Sequence, residues 1–204
     1  MSDTTLRILL PIYCLAFGAV CFLWRTLRFR RAYGKNPIIT GRIDTPHGFL
    51  GAIASLLSPA IGFVTLLFAA SPERYVAWMR PFSWYGSTAA RWFGAATLAG
   101  ALALAAVAQA QMGPSWRVGI DTTERTAIVR HGLYRHSRNP IYLGLILIGI
   151  GYLLILPDPF TLVICVQGWT VFQLLVRLEE QHMRSLHGVE FEAYCRQTPR
   201  WLFW

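Results

Sequence analysis

The sequence predicts an all-α polytopic membrane protein with about five transmembrane helices, the last two folded as a helical hairpin and followed by cytoplasmic helices. Three observations predict it. The first is composition: 54% of the 204 residues are hydrophobic and only 14% are charged, whereas a soluble domain carries about 25% charge. Such a chain cannot complete a water-facing surface, and the same figures exclude disorder, a collagen-like fibre and a disulfide-stapled secreted module. The second is a set of five stretches free of Asp, Glu, Lys and Arg: Ile8 to Trp24, Phe49 to Pro72, Trp92 to Trp116, Asn139 to Pro157 and Pro159 to Val176. Each approaches or reaches the roughly 20 residues that carry a helix across about 30 Å of hydrocarbon. The third is Pro157-Asp158-Pro159 between the last two stretches. Two prolines around an acid cannot continue a helix, so the chain turns back there.

The first stretch reads as a retained span. It lacks a small-x-small cleavage site, and its basic flank follows the apolar run, where a secretory signal has it in front. The third stretch carries Gly94, Ala95, Ala96, Ala99, Gly100, Ala103, Ala106 and Ala110 at three- and four-residue intervals, a pattern for close helix packing. The fourth must begin after Pro140 and end before Pro157, which leaves it short of a full crossing. Cys14 and Cys21 are seven residues apart on one helix, about 10 Å along its axis, too far to bridge. With Cys165 and Cys195 in no zinc spacing, all four read as free thiols.

A net charge of +9 would suggest nucleic acid in a soluble chain. Here the charge sits at the ends of the apolar stretches, so its reading is topology and no nucleic-acid partner is expected. Of the 19 basic residues, 15 fall in three alternate segments, Arg25 to Arg42, Arg117 to Arg138 and Arg177 to Arg200. Four lie on the other side, Arg7, Arg74, Arg80 and Arg91. The positive-inside rule then puts the N-terminus outside and the C-terminus in the cytoplasm. The chain divides into residues 1–110, with the first three spans, and residues 111–204, with a cytoplasmic loop, the hairpin and C-terminal helices.

Two segments on the basic side are more polar and specific than topology demands: Met112 to Gly144, and Arg177 to Arg200. They flank the hairpin, so its return brings them together around a pocket open to the bilayer. Asn139-Pro140 stands at the start of the fourth span, where Asn is a good cap and Pro a good first residue. The exposed N–H groups of such a start also suit an anionic ligand group. Glu179 and Glu180 follow the fifth span. Adjacent helix positions point about 100° apart, so one carboxylate faces inward and the other faces solvent or Arg. An inward carboxylate there can bind an ammonium or sulfonium group or ribose hydroxyls.

Gly132-Leu133-Tyr134, Arg138-Asn139-Pro140-Ile141-Tyr142-Leu143-Gly144, Glu179-Glu180, His187-Gly188, Tyr194 and Pro199-Arg200 occur in order over the last ninety or so residues. This pattern resembles the isoprenylcysteine carboxyl methyltransferase family and its phospholipid methyltransferase relatives. The resemblance implies S-adenosylmethionine in a cytoplasmic pocket and a lipid-like or isoprenoid-bearing acceptor, carboxylate or amine, drawn from the membrane; no metal is expected, because Asp121, Glu124, His131 and His136 have no recognisable ligand spacing. It implies cofactor contacts from Gly119, Thr126, Ala127, Ile128, Val129, Tyr134, Asn139, Pro140, Ile141, Tyr142 and Glu179. Arg177, Arg138 and Glu180 are the candidate catalytic residues, the arginines as bidentate anchors for an anionic acceptor. The eukaryotic carboxyl methyltransferases have His in place of Thr126 and Asn139, and their substrate-side Arg aligns with Leu175. The Asn-Pro-x-Tyr-x-Gly form is closer to the phospholipid amine methyltransferases.

Methyl transfer from a sulfonium is an in-line displacement in which alignment matters more than acid–base machinery. A carboxylate acceptor needs no base; an ammonium must first lose a proton, for which His131, His136, His182 and His187 are the plausible bases. No Gly-x-Gly-x-x-Gly follows a strand, which argues against a soluble Rossmann methyltransferase. Two other readings compete. A sterol-type membrane reductase would use NADPH, but commonly has an acidic residue where this chain has Leu145. A non-catalytic scaffold has no use for the paired carboxylates.

Overall fold

The computed structural model describes residues 1–39, 43–119 and 127–202, and Thr126 therefore lies outside the described residues. Among these the protein is all-helical, save one parallel bridge between Ile38 and Val118. Four helices are long and apolar enough to cross a membrane: Asp3–Tyr33, Pro46–Ala70, Thr88–Ser115 and Pro159–His187. A further apolar helix, Pro140–Ile155, has 16 residues, about 24 Å at 1.5 Å per residue, too short to stand with those four, and it lies where the short fourth span was expected.

The first span comprises α1 (Asp3–Phe17), a wide π-type stretch (Gly18–Trp24) and α2 (Arg25–Tyr33), ending at Gly34 in the left-handed region, φ 67°. Its helix runs nine residues past the charge-free stretch, because Arg25 is buried, donating to Gly113 O at 3.0 Å and stacking over Trp116. The second span divides into α3 (Pro46–Ser55) and α4 (Leu57–Ala70). Pro59 has no N–H to give to the preceding turn, which accounts for the break. A short helix, α5 (Pro72–Met79), then leads to α6 (Thr88–Met112).

Helix α6 packs most closely on α7 (Pro140–Ile155) through the small residues noted in the sequence. A Cβ on Gly94 would lie 2.8 Å from Gly151 O and 2.6 Å from Ile155 Cγ1, and one on Gly151 would lie 2.8 Å from Leu98 Cδ2. The two backbones approach where both glycines sit. Gly94→Val is expected to lower stability by about 1–3 kcal/mol through overpacking, read as an earlier melt in detergent. An unchanged melt would show that the helices can part without cost.

Helix α8 (Pro159–His187) runs unbroken from the bend through both carboxylates, and α9 (Val189–Gln197) folds back after Gly188. At the bend Asp158 is fully buried. Its Oδ1 accepts from Thr161 N at 2.8 Å, and its Oδ2 accepts from Thr161 Oγ1 at 2.8 Å and Tyr75 OH at 3.0 Å. The acid between the two prolines is thus both the cap of α8 and the anchor of the hairpin tip to α5. An apolar cluster of Leu6, Leu10, Val64, Phe68, Tyr152 and Ile155 fills this end. The four cysteines are free.

Candidate active site

The opposite end of the hairpin is built from polar residues. Arg138, just before α7, and Arg200, after α9, converge on Glu180, which is 3% exposed. Arg138 Nε donates to Glu180 Oε1 at 3.1 Å and Nη2 to Oε2 at 3.3 Å, while Arg200 donates to the same oxygens at 3.2 and 2.8 Å. The remaining Arg138 nitrogen donates to the carbonyls of Cys195 and Thr198 at 3.0 and 2.6 Å. The Glu180 hydrogen bond is the largest cause holding the Arg200 guanidinium above its ordinary pKa. The Asn139 side chain makes no cap bond to α7; it donates to Glu180 Oε1 at 3.2 Å and Arg200 O at 3.3 Å. The local capping role open to it in the sequence is displaced by this longer-range one. Together these contacts clasp the C-terminal segment onto the start of α7.

Glu179, one position earlier, turns away from the clasp. The hydroxyl of Tyr142, on the first turns of α7, donates to Glu179 Oε1, and His47 Nε2 lies 3.7 Å from the same oxygen. Both carboxylates therefore follow the 100° rule, one to arginines and one to a cavity. That cavity holds about 650 Å³. Its rim carries Glu179, Asn139, Tyr142, Tyr134 and His47, and its depth is lined by Leu145, Ile148, Ile164, Cys165, Gly168 and Phe172. Along α8 the 14 residues from Cys165 to Glu179 correspond to about 21 Å. An elongated apolar slot with a charged mouth suits an amphiphile.

The cavity brings together Gly119, Tyr134, Arg138, Asn139, Ile141, Tyr142 and Glu179. Gly119 is glycine for a reason: its φ is 98°, and a Cβ would stand 2.4 Å from Ile39 O. Ala127, Ile128, Val129, Pro140 and Glu180 lie off its wall; Ser115 donates to Ala127 O at 3.2 Å, while Pro140 is the first residue of α7. Arg177 is exposed and folds back on Gln173, donating to its O at 2.8 Å and Oε1 at 2.9 Å. Burial pushes the Tyr134 hydroxyl well above the ordinary tyrosine pKa, so it stays a donor, and it has no hydrogen-bond partner among the described residues.

None of His131, His136, His182 and His187 lines the cavity. His47 does, and sequence reasoning passed over it because nothing near Thr45-Pro46-His47 distinguishes it from a span boundary. Its only local signal is a place on the first turn of α3, where Thr45 Oγ1 caps the helix by accepting from Gly48 N at 3.1 Å. Arg200, named in the sequence only as part of a pattern, is the second arm of the clasp. Among the described residues no group of three or more His, Cys, Asp or Glu could hold a metal ion.

Three curated relatives are similar over part of the chain. "Probable protein-S-isoprenylcysteine O-methyltransferase" of Oryza sativa subsp. indica, and its namesake in subsp. japonica, are 29% identical over 86 residues, 40% of this chain and 43% of theirs. "Protein-S-isoprenylcysteine O-methyltransferase A" of Arabidopsis thaliana is 29% identical over 82 residues, 40% of this chain and 42% of its own length. The alignments thus span less than half of those relatives. The sequence model described as Phospholipid methyltransferase matches residues 89–190, from the glycine-lined face of α6 through the cavity rim and both carboxylates to the start of α9. With half of its length so matched, the chain belongs to the phospholipid methyltransferase family.

Proposed function

We propose that the chain is an integral membrane methyltransferase that uses S-adenosylmethionine and acts on a lipid-like or isoprenoid-bearing acceptor, carboxylate or amine. The observation that carries the reading is Glu179, fixed by Tyr142 at the mouth of a deep apolar cavity. A carboxylate in that position has a cationic partner to meet. Two further buried atoms at the mouth, Tyr134 OH and His47 Nε2, lack hydrogen-bond partners among the described residues, which fits a polar ligand there. Glu179, Tyr134, Asn139, Gly119, Tyr142 and Ile141, which line the cavity, would hold the cofactor. S-Adenosylmethionine supplies an electrophilic methyl group. The protein's own part is alignment, which contributes roughly 7–11 kcal/mol to such a displacement. Arg138 and Glu180 hold the C-terminal segment at the rim, and Arg177 stands outside it, about half a turn from Glu179. The face is cytoplasmic in this reading, which rests on the 15-to-4 split of basic residues.

Purified protein in detergent is expected to melt later with S-adenosylmethionine or S-adenosylhomocysteine. Glu179→Ala is expected to weaken that binding about 10- to 100-fold, the worth of a charged hydrogen bond of about 1.5–3 kcal/mol, while lowering the melt of the ligand-free protein less than Glu180→Ala does, since only the cavity-lining Tyr142 hydroxyl loses its acceptor. Stabilisation by NADPH in place of either ligand would transfer the site to reductase chemistry.

A further inference from the structure

We propose that Gln109 reads the purine ring of the bound cofactor, its side-chain amide pairing with the edge where the exocyclic amine adjoins a ring nitrogen. The proposal deepens the methyl-transfer reading above and rests on it. Gln109 stands near the end of α6, is 6% exposed and lines the cavity. Among the described residues nothing bonds its amide. A buried amide without a partner is costly, and a polar side chain that a membrane helix turns to a cavity marks a ligand. Gln111, two positions on and about 200° round the helix, is committed elsewhere. Its Oε1 accepts from Leu133 N at 2.7 Å and docks the turn Gly132–Arg135 on α6. Gln109 has no such task.

The neighbours decide what it reads. Ala105, Gln109 and Met112 follow one another at four- and three-residue steps, so one face of α6 meets the cavity. Beyond them stands Trp116, 1% exposed and lining the same cavity. Its ring is held by Arg25, 5.1 Å from the centroid, and by Phe29, with ring centroids 6.0 Å apart. Tyr134, whose hydroxyl lacks a partner among the described residues, adds a second aromatic ring to the lining. This part of the cavity combines flat rings with an uncharged group that both donates and accepts. The cofactor's cationic end has Glu179 on the α8 side, and its ribose hydroxyls suit a carboxylate equally well. The purine is the part that is flat, stacks on aromatic rings and offers a donor beside an acceptor on one rigid edge. A glutamine amide meets that pattern with two hydrogen bonds at once.

In this arrangement Gln109 Oε1 accepts from the purine 6-amine and Nε2 donates to the neighbouring ring nitrogen. The cofactor then bridges α6 and α8 across the mouth, its base on Gln109 and its charge on Glu179. A base without the amine leaves the amide carbonyl buried and unpaired, which is how one hydrogen-bonding side chain rejects a ligand that is otherwise the right shape.

The test uses the full chain in detergent and two ligands, S-adenosylhomocysteine and its analogue with hydrogen in place of the purine 6-amine, with affinities read by calorimetry. Wild type is expected to prefer S-adenosylhomocysteine by roughly 5- to 150-fold, the factor that corresponds to about 1–3 kcal/mol for a buried acceptor left unpaired. Gln109→Met keeps the length of the side chain and removes both hydrogen-bonding atoms. It should weaken S-adenosylhomocysteine by a similar factor and leave the analogue nearly unchanged, so that the preference falls close to one. A Gln109→Met protein that keeps the wild-type preference overturns the proposal, whether its two affinities are unchanged or fall together; the amide then serves another part of the ligand, or none. A wild type that binds both ligands equally overturns it as well. A wild type that binds neither sinks the methyl-transfer reading and the proposal with it. Should Gln109→Met fail to fold, Gln109→Leu takes its place. If neither folds, the wild-type preference decides, roughly fivefold or more in support and less against.

Discussion

Glu180→Ala should destabilise the protein by about 3–5 kcal/mol, the cost of deleting one partner of a buried ion pair and leaving the other. Glu180 is 3% exposed and receives five hydrogen bonds, two each from Arg138 and Arg200 and one from Asn139. Without it the guanidinium of Arg138, only 10% exposed, is left among carbonyls. Arg200, at 27%, is partly reached by water, so its share is smaller and the lower half of the range is the better estimate. Because the clasp also holds the C-terminal segment on α7, the variant should lose cofactor binding along with stability. The neighbouring Glu179→Ala should lose binding with a smaller loss of stability, confined to the Tyr142 hydroxyl that it leaves without an acceptor. Melting curves of the two variants with and without S-adenosylhomocysteine make the comparison; equal stability in both would mean that Glu180 is not the structural carboxylate.

Asp158→Ala should cost about 2–4 kcal/mol, from two sources at one residue. Losing the cap of α8 costs about 1 kcal/mol, and the Tyr75 hydroxyl, wholly buried, is left without its acceptor at about 1–3 kcal/mol. Asp158→Asn keeps an oxygen for Thr161 N and should cost less than half as much. A melting series of the three proteins checks the order. If Asp158→Ala melts with wild type, the prolines alone set the bend.

The spans were legible because the bilayer acts on composition: a missing charge over about 20 residues is a direct imprint of hydrocarbon. Helix ends were not, since a helix is free to continue into water. α8 passes Arg177 without a break and runs on to His187, and the first span continues through Arg25 because Trp116 and Gly113 O receive that guanidinium. The hairpin tip was readable from Pro157 and Pro159, while the partner of Asp158 was not, because Tyr75 lies 83 residues away. In the site, the divergence of Glu179 and Glu180 follows from helix geometry alone. The sequence could not say which carboxylate meets arginine, nor bring His47 to the rim, because both depend on contacts between distant elements. Arg138 read as an anchor for substrate, and the geometry has it fully engaged with Glu180 and backbone carbonyls.

One uninterrupted helix carries both the floor of the cavity, at Cys165, and its carboxylate mouth, at Glu179. Their separation is therefore fixed by backbone rise, as graduations are fixed on a ruler, and side-chain repacking at the mouth cannot alter it. Depth is adjustable only from below, where an added Cβ on Gly168 would meet Leu57 Cδ1 at 3.5 Å and Phe172 Cε2 at 3.7 Å, ordinary contacts, while one on Gly149 would press on Cys165 Sγ at 3.2 Å. The length of the cavity is consequently open to change at Gly168 without any shift of the carboxylate at the other end.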